Sequence, residues 1–144
     1  MRVVVDTNIF VSSFFGGNPR RVIDLWKTGG ITLCLTRPIV EEYIEVLQRL
    51  GLTQAQELQE LLDLFARGFN SVFTAKAPVL KVVAADPDDD KFIECAVALK
   101  ARCIVSGDKA LLNVKEYMGI HVLNAKAFLD MFARTGVGLG DIVE

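Results

Sequence analysis

Short blocks of consecutive apolar residues alternate along the chain with longer stretches in which apolar residues recur every three or four positions. The first block is VVV (Val3 to Val5), followed at once by Asp6, Thr7 and Asn8. Three β-branched residues bounded by polar ones predict a strand buried on both faces, as in a parallel sheet. Asn18-Pro19 predicts a helix start, with Val22, Ile23, Leu25 and Trp26 as its apolar stripe and Gly29-Gly30 as its end. ITLCL (Ile31 to Leu35) predicts a second strand. Thr36-Arg37-Pro38 then opens a helix over 38–50, Gly51 stops it, and Thr53 is the expected cap of an amphipathic helix over 54–67. Segments 71–74 and 79–83 are candidate short strands, of which VLKVV (79–83) carries the clearer pattern. A helix over 90–101, a buried strand CIVS (103–106), a turn into a short helix at GDKALL, a strand HVL (121–123) and a helix from Asn124 to Arg134 follow.

Strands alternating with helices at this rhythm predict an α/β domain with a mainly parallel sheet. The chain has 144 residues, enough for one domain to bury a core unaided. Residues 1–134 are expected to form it, with the glycine-rich 135–144 a flexible or partner-bound tail. Net charge is −2, so no global basic field draws a polyanion, and any contact with nucleic acid must be local or metal-assisted. Cys34, Cys95 and Cys103 show no CxxC spacing and sit in apolar context, which predicts buried free thiols in a reducing compartment rather than a zinc site. The chain opens without a signal-peptide pattern and carries no apolar run near the ~18 residues of a membrane span, so a cytoplasmic location is expected. His121 is the lone histidine, which leaves most serine and cysteine hydrolase schemes without their usual base.

Carboxylates remain as the candidate chemistry. Asp6 and Asp108 each follow a hydrophobic strand, Glu41-Glu42 stand early in a helix, and Asp86 to Asp90 precede another. In a parallel sheet the carboxyl ends of the strands share one edge, so Asp6 and Asp108 can meet although about a hundred positions separate them. Like charges brought together raise their pKa values or bind a cation, and an oxygen-only donor set favours Mg2+ or Mn2+. Helical spacing puts Asp90 on an edge with Ile93, Glu94 and Val97, from which it can face a cleft. Asp88 and Asp89 are expected mainly to cap that helix, and Asp6 or Asp108 taken singly also fits a turn or a cap. His121 fits a structural role.

With these residues in place, the sequence resembles the PIN-domain family of metal-dependent ribonucleases, in particular the VapC-like toxins of toxin–antitoxin pairs. VVVDTNIFVSS is similar to the family's opening strand and first metal aspartate, PIVEEYIEVL to its acidic helix, DPDDDKFIECAVALKARCIVSGDKALL to its central block, and GIHVLNAKAFL to its closing strand and helix. The resemblance implies an α/β/α sandwich, a frequent homodimer, a possible antitoxin partner, and a metal site made by Asp6, Glu42, Asp90 and Asp108, with Glu41 as substitute for Glu42. Asn8 and Ser106 would assist by orienting a ligand. A further acidic residue that the family often has two positions after the last aspartate is replaced by Ala110, which leaves a second ion open. Hydrolysis of RNA is the expected reaction, with Arg20, Arg21 and Lys109, together with Lys91, as substrate contacts unless they are simply solvated. Two alternatives stay open: another Mg2+-dependent phosphotransfer domain, disfavoured by Asn8 where a second acid would be wanted, and an inactive interaction protein.

Overall fold

Val3, Val4 and Val5 are all fully buried on β1 (Arg2–Val5), which requires cover on both faces of the strand. The computed structural model describes residues 1–52 and 56–135. Thr53, the expected cap, and residues 136–144 of the expected tail lie outside the described residues. The other strands are β2 (Thr32–Thr36), β3 (Ser71–Thr74), β4 (Cys103–Val105), β5 (Glu116–Tyr117) and β6 (Ile120–Leu123). They form one six-stranded sheet in the order β3-β2-β1-β4-β6-β5, parallel except for β5. The helices are α1 (Thr7–Ser12), α2 (Gly17–Lys27), α3 (Arg37–Arg49), α4 (Gln56–Ala66), α5 (Asp90–Leu99), α6 (Lys109–Leu112) and α7 (Ala125–Arg134). This is the expected α/β domain, its sheet flanked by helices.

The strand order decides where chemistry can sit. From β1 the chain adds β2 and β3 on one side and then returns to add β4 and β6 on the other. The order therefore reverses between β1 and β4, and a crevice opens outside their carboxyl ends. Val5 is in register with Val105, and the Asp6 N–H donates to the Val105 carbonyl at 3.0 Å, so the residues that follow each strand start side by side. An aromatic cluster underlies this edge. The Tyr43 ring stacks on Phe10 at 4.3 Å, its hydroxyl donates to the Val5 carbonyl, and Phe65 joins both to Trp26. These contacts fix α3 to the end of β1, and with it the position of Glu42.

Two local expectations are corrected. VLKVV forms no strand: the Leu80 N–H donates to Glu94 Oε2 at 2.8 Å, and the Val82 and Val83 N–H groups donate to Asp90 Oδ1 at 3.0 and 2.8 Å. Side-chain carboxylates take the place that a neighbouring strand would have, and Val79 is left exposed. The less regular SVFT (71–74) is the strand, pairing with β2 throughout its length. At the other helix start, Asn18 lies inside α2, where its side chain receives the Arg21 guanidinium, and Gly16 occupies the cap.

Candidate active site

Asp6 ends β1 and begins α1. Its Oδ1 accepts from the Ile9 N–H at 2.9 Å, which caps the helix, and its Oδ2 accepts from the Ser106 hydroxyl. Ser106 in turn accepts from the Asp108 N–H at 3.0 Å, and Asp108 Oδ1 accepts from the Ala110 N–H at 2.7 Å to cap α6. A continuous chain of hydrogen bonds thus links the two strand-end aspartates through a wholly buried serine. Burial pushes the Asp6 carboxyl above its ordinary pKa, the donors from Ser106, Ile9 and Gly107 oppose that, and the nearby Asp108 charge adds to it.

The third member of the cluster is Asp89. It ends the 3₁₀ turn Pro87–Asp89, whose entry is fixed by the Asp86 side chain accepting from the Asp88 N–H at 3.2 Å. Asp89 is 8% exposed, and its Oδ2 is buried without a hydrogen-bond partner. Burial, then the charges of Asp108 and Asp86, push it up to about 7. Asp86, Asp89 and Asp108 bring one carboxylate oxygen each within 4.8 Å of one another. An orphaned buried carboxylate oxygen beside two more carboxylates, with no histidine or cysteine in the cleft, suits a hard divalent cation.

A cleft of about 190 Å³ is lined by Asp6, Thr7, Asn8, Glu42, Val46, Arg49, Asp89, Phe92 and Asp108. Sequence reasoning therefore anticipated Asp6, Asn8, Glu42 and Asp108 at this edge, and Ser106 just beneath it. Asp90 is absent from that lining. Its carboxylate turns away to hold the backbone of residues 82 and 83, and Asp89 lines the cleft together with Phe92, three residues on. Nor does Asp89 cap α5 with its side chain, as had been expected.

Glu42 has a donor on each oxygen: the Thr7 hydroxyl on Oε2 and Lys91 Nζ on Oε1 at 2.6 Å. Lys91 also reaches Asp88 Oδ2 at 3.1 Å. Desolvation works against the Lys91 charge, but its bonds to Glu42 and Asp88 outweigh that and raise its pKa. Glu41 points elsewhere, to an exposed pair with Arg37. The expected substrate cations are also rearranged. Arg20 donates to the carbonyls of Ser13 and Phe14, both at 2.9 Å, Arg21 is exposed beside Asn18, and Lys109 is exposed. Among basic residues it is Arg49, unremarked in the sequence, that lines the cleft. Its position at the last turn of α3 gave no local signal.

His121 stands exposed on β6, 3.9 Å from Glu116 and outside the cleft lining. The three cysteines are buried free thiols, with burial pushing Cys34 and Cys103 up to about 11. Among the described residues, no helix is long and apolar enough to cross a membrane.

The two carboxylates at the 89–90 pair make separable predictions. Asp90→Ala is expected to lower stability by about 1–3 kcal/mol, because two backbone N–H groups lose their acceptor, while leaving metal affinity within a few-fold of wild type. Thermal unfolding and Mn2+ titration of the variant check it.

A family model described as PIN domain matches residues 2–110, from β1 into the start of α6. The chain is also similar to an uncharacterized protein of Methanocaldococcus jannaschii, at 29% identity over 136 residues, covering 88% of this chain and 84% of that protein.

Proposed function

We propose, on the premise that this chain belongs to the PIN-domain family, that it is an Mg2+- or Mn2+-dependent endoribonuclease. The observation that carries the reading is the cluster of Asp86, Asp89 and Asp108, with an unpartnered Asp89 oxygen in it and Asp6 lining the same cleft as Asp89 and Asp108. Asp6, Asp89 and Asp108 are assigned as the residues that hold the ion, with Asp86 completing the group. Asp89 replaces Asp90 in this assignment because Asp90 is committed to backbone donors. Glu42 lines the same cleft.

A bound dication supplies Lewis acidity to a phosphodiester and makes water a competent nucleophile at neutral pH. The chain's own groups do the rest. Ser106 keeps the Asp6 carboxylate in one rotamer, the α6 cap keeps Asp108 in one rotamer, and Asn8 and Arg49 offer donors to phosphate oxygens from the cleft wall. Water attacks phosphorus in line, one P–O bond forms as the bond to the 3′-oxygen breaks, and the products are a 5′-phosphate and a 3′-hydroxyl. The choice of RNA over DNA, a homodimeric state and the toxin role with its antitoxin partner belong to the same proposal and rest on the motif resemblance.

The test is cleavage of end-labelled RNA by the purified chain. Fragments with 5′-phosphate ends in Mg2+ or Mn2+, and none in EDTA, are expected. Cleavage that persists in EDTA would overturn the reading.

A further inference from the structure

Glu42 lines the same cleft as Asp6, Asp89 and Asp108 but differs from them in having its charge already answered. Lys91 Nζ lies 2.6 Å from Oε1, and the two side chains are only 14% and 20% exposed. The Thr7 hydroxyl holds the other oxygen. Lys91 is itself fixed from two further directions: Asp88 Oδ2 at 3.1 Å, and the ring of Phe92, whose centroid lies 5.8 Å from the ammonium. Nothing comparable holds the aspartates among the described residues. Asp6 and Asp108 receive hydrogen bonds from backbone N–H groups and a hydroxyl, Asp89 Oδ2 has no partner, and among the described residues no cation pairs with any of the three.

The aspartates thus carry no compensating cation, whereas Glu42 already holds an ammonium on its Oε1. A dication seated on Glu42 would stand within a few ångströms of the Lys91 charge, in a site that water screens poorly, and would have to displace it. We propose that the site takes a single divalent ion, on the Asp6–Asp89–Asp108 side, and that the Lys91 ammonium on Glu42 occupies the position that a second ion would otherwise take. This rests on the metal-site reading above. Lys91 then has a role distinct from the substrate contact expected of it. It positions Glu42 and supplies a fixed positive charge at that carboxylate, a role that two-metal sites give to a second cation.

The measurement is a count of Mn2+ bound per chain at saturation, by equilibrium dialysis with electron paramagnetic resonance of the free ion, on the full chain. Wild type and Lys91→Arg are expected to bind one ion. Lys91→Met is expected to bind two, and Lys91→Met combined with Glu42→Gln to return to one. Two ions on the wild type would overturn this proposal while leaving the metal site standing. No bound ion on the wild type would overturn the metal site and the proposal together. The wild-type count decides even should Lys91→Met fail to fold. Where it folds, a single ion on it would also overturn the proposal.

Discussion

Asp6→Asn is expected to lower RNA cleavage by about 10³-fold, which corresponds to about 4 kcal/mol of lost transition-state stabilisation. The size follows from position. Asp6 is 2% exposed, stands at the point where the strand order reverses, and is tied through Ser106 to Asp108, so one substitution disturbs two aspartates that face the cleft. Folding should survive it. Asparagine keeps an acceptor for the Ile9 N–H, and the neutral amide removes a buried charge whose pKa is already raised. The Ser106 hydroxyl must turn to meet the new donor, a small cost. Cleavage assays beside thermal melting check the pair of outcomes: activity gone, midpoint within a few degrees of wild type. A variant that retains activity removes Asp6 from the mechanism.

Asp89→Asn is expected to have opposite effects on function and on stability. Its carboxyl is held up at about 7 in the folded chain against an ordinary 3.8. The folded state therefore keeps a proton that the unfolded state has already released, and the metal-free protein loses stability as pH rises from about 4 to about 7. Above that range the penalty is fully present. Asparagine cannot ionise, and its amide can donate to the neighbouring Asp108 carboxylate. At pH 8 without metal, the variant should be more stable than wild type by about 1–2 kcal/mol, a rise of roughly 3–8 °C in Tm, with the difference fading toward pH 4. Divalent ions should raise the midpoint of wild type and barely move that of the variant. Because an ion must displace that proton, wild-type affinity should fall about tenfold for each unit of pH below 7. Melting curves with and without Mn2+ at several pH values test all three statements. An apo Asp89→Asn protein less stable than wild type at pH 8 would contradict the electrostatic account of this residue.

The parts of the molecule that were legible in the sequence are those set by local pattern. VVV before Asp6 and CIVS before Asp108 announced buried parallel strands, and the rule that such strands share a carboxyl edge was enough to bring the two aspartates together. Ser106 and Asn8 were expected there only through the resemblance to the family's motifs. The helix α1, which starts directly behind Asp6, went unread because its six residues give too few turns for a period to show.

What was not legible depends on partners distant in sequence. Asp88, Asp89 and Asp90 are consecutive and chemically identical, so choosing among them needs the phase of the turn that carries them. That phase is fixed by the Asp86 cap and by the 79–83 segment, which draws Asp90 and Glu94 to its N–H groups. Helical spacing did place Asp90 and Glu94 on one edge, as they are, but that edge faces the segment and not the cleft. VLKVV misled for the same reason. Its apolar character is that of a strand, yet its backbone is satisfied by side chains 7 to 14 residues ahead. Lys91 in the acidic run read as a solvated side chain or a substrate contact, and only the proximity of α3 reveals that Glu42 holds it.

The central claim is that carboxylates from the ends of β1 and β4 and from the turn before α5 converge to trap one dication. A crystal of the chain grown with Mn2+, with anomalous scattering recorded at the manganese edge, tests it most directly. The account predicts one strong peak in contact with Asp6, Asp89 and Asp108, and none between Glu42 and Lys91. An empty cleft at saturating Mn2+, or a peak bound by Asp90 in place of Asp89, would contradict it.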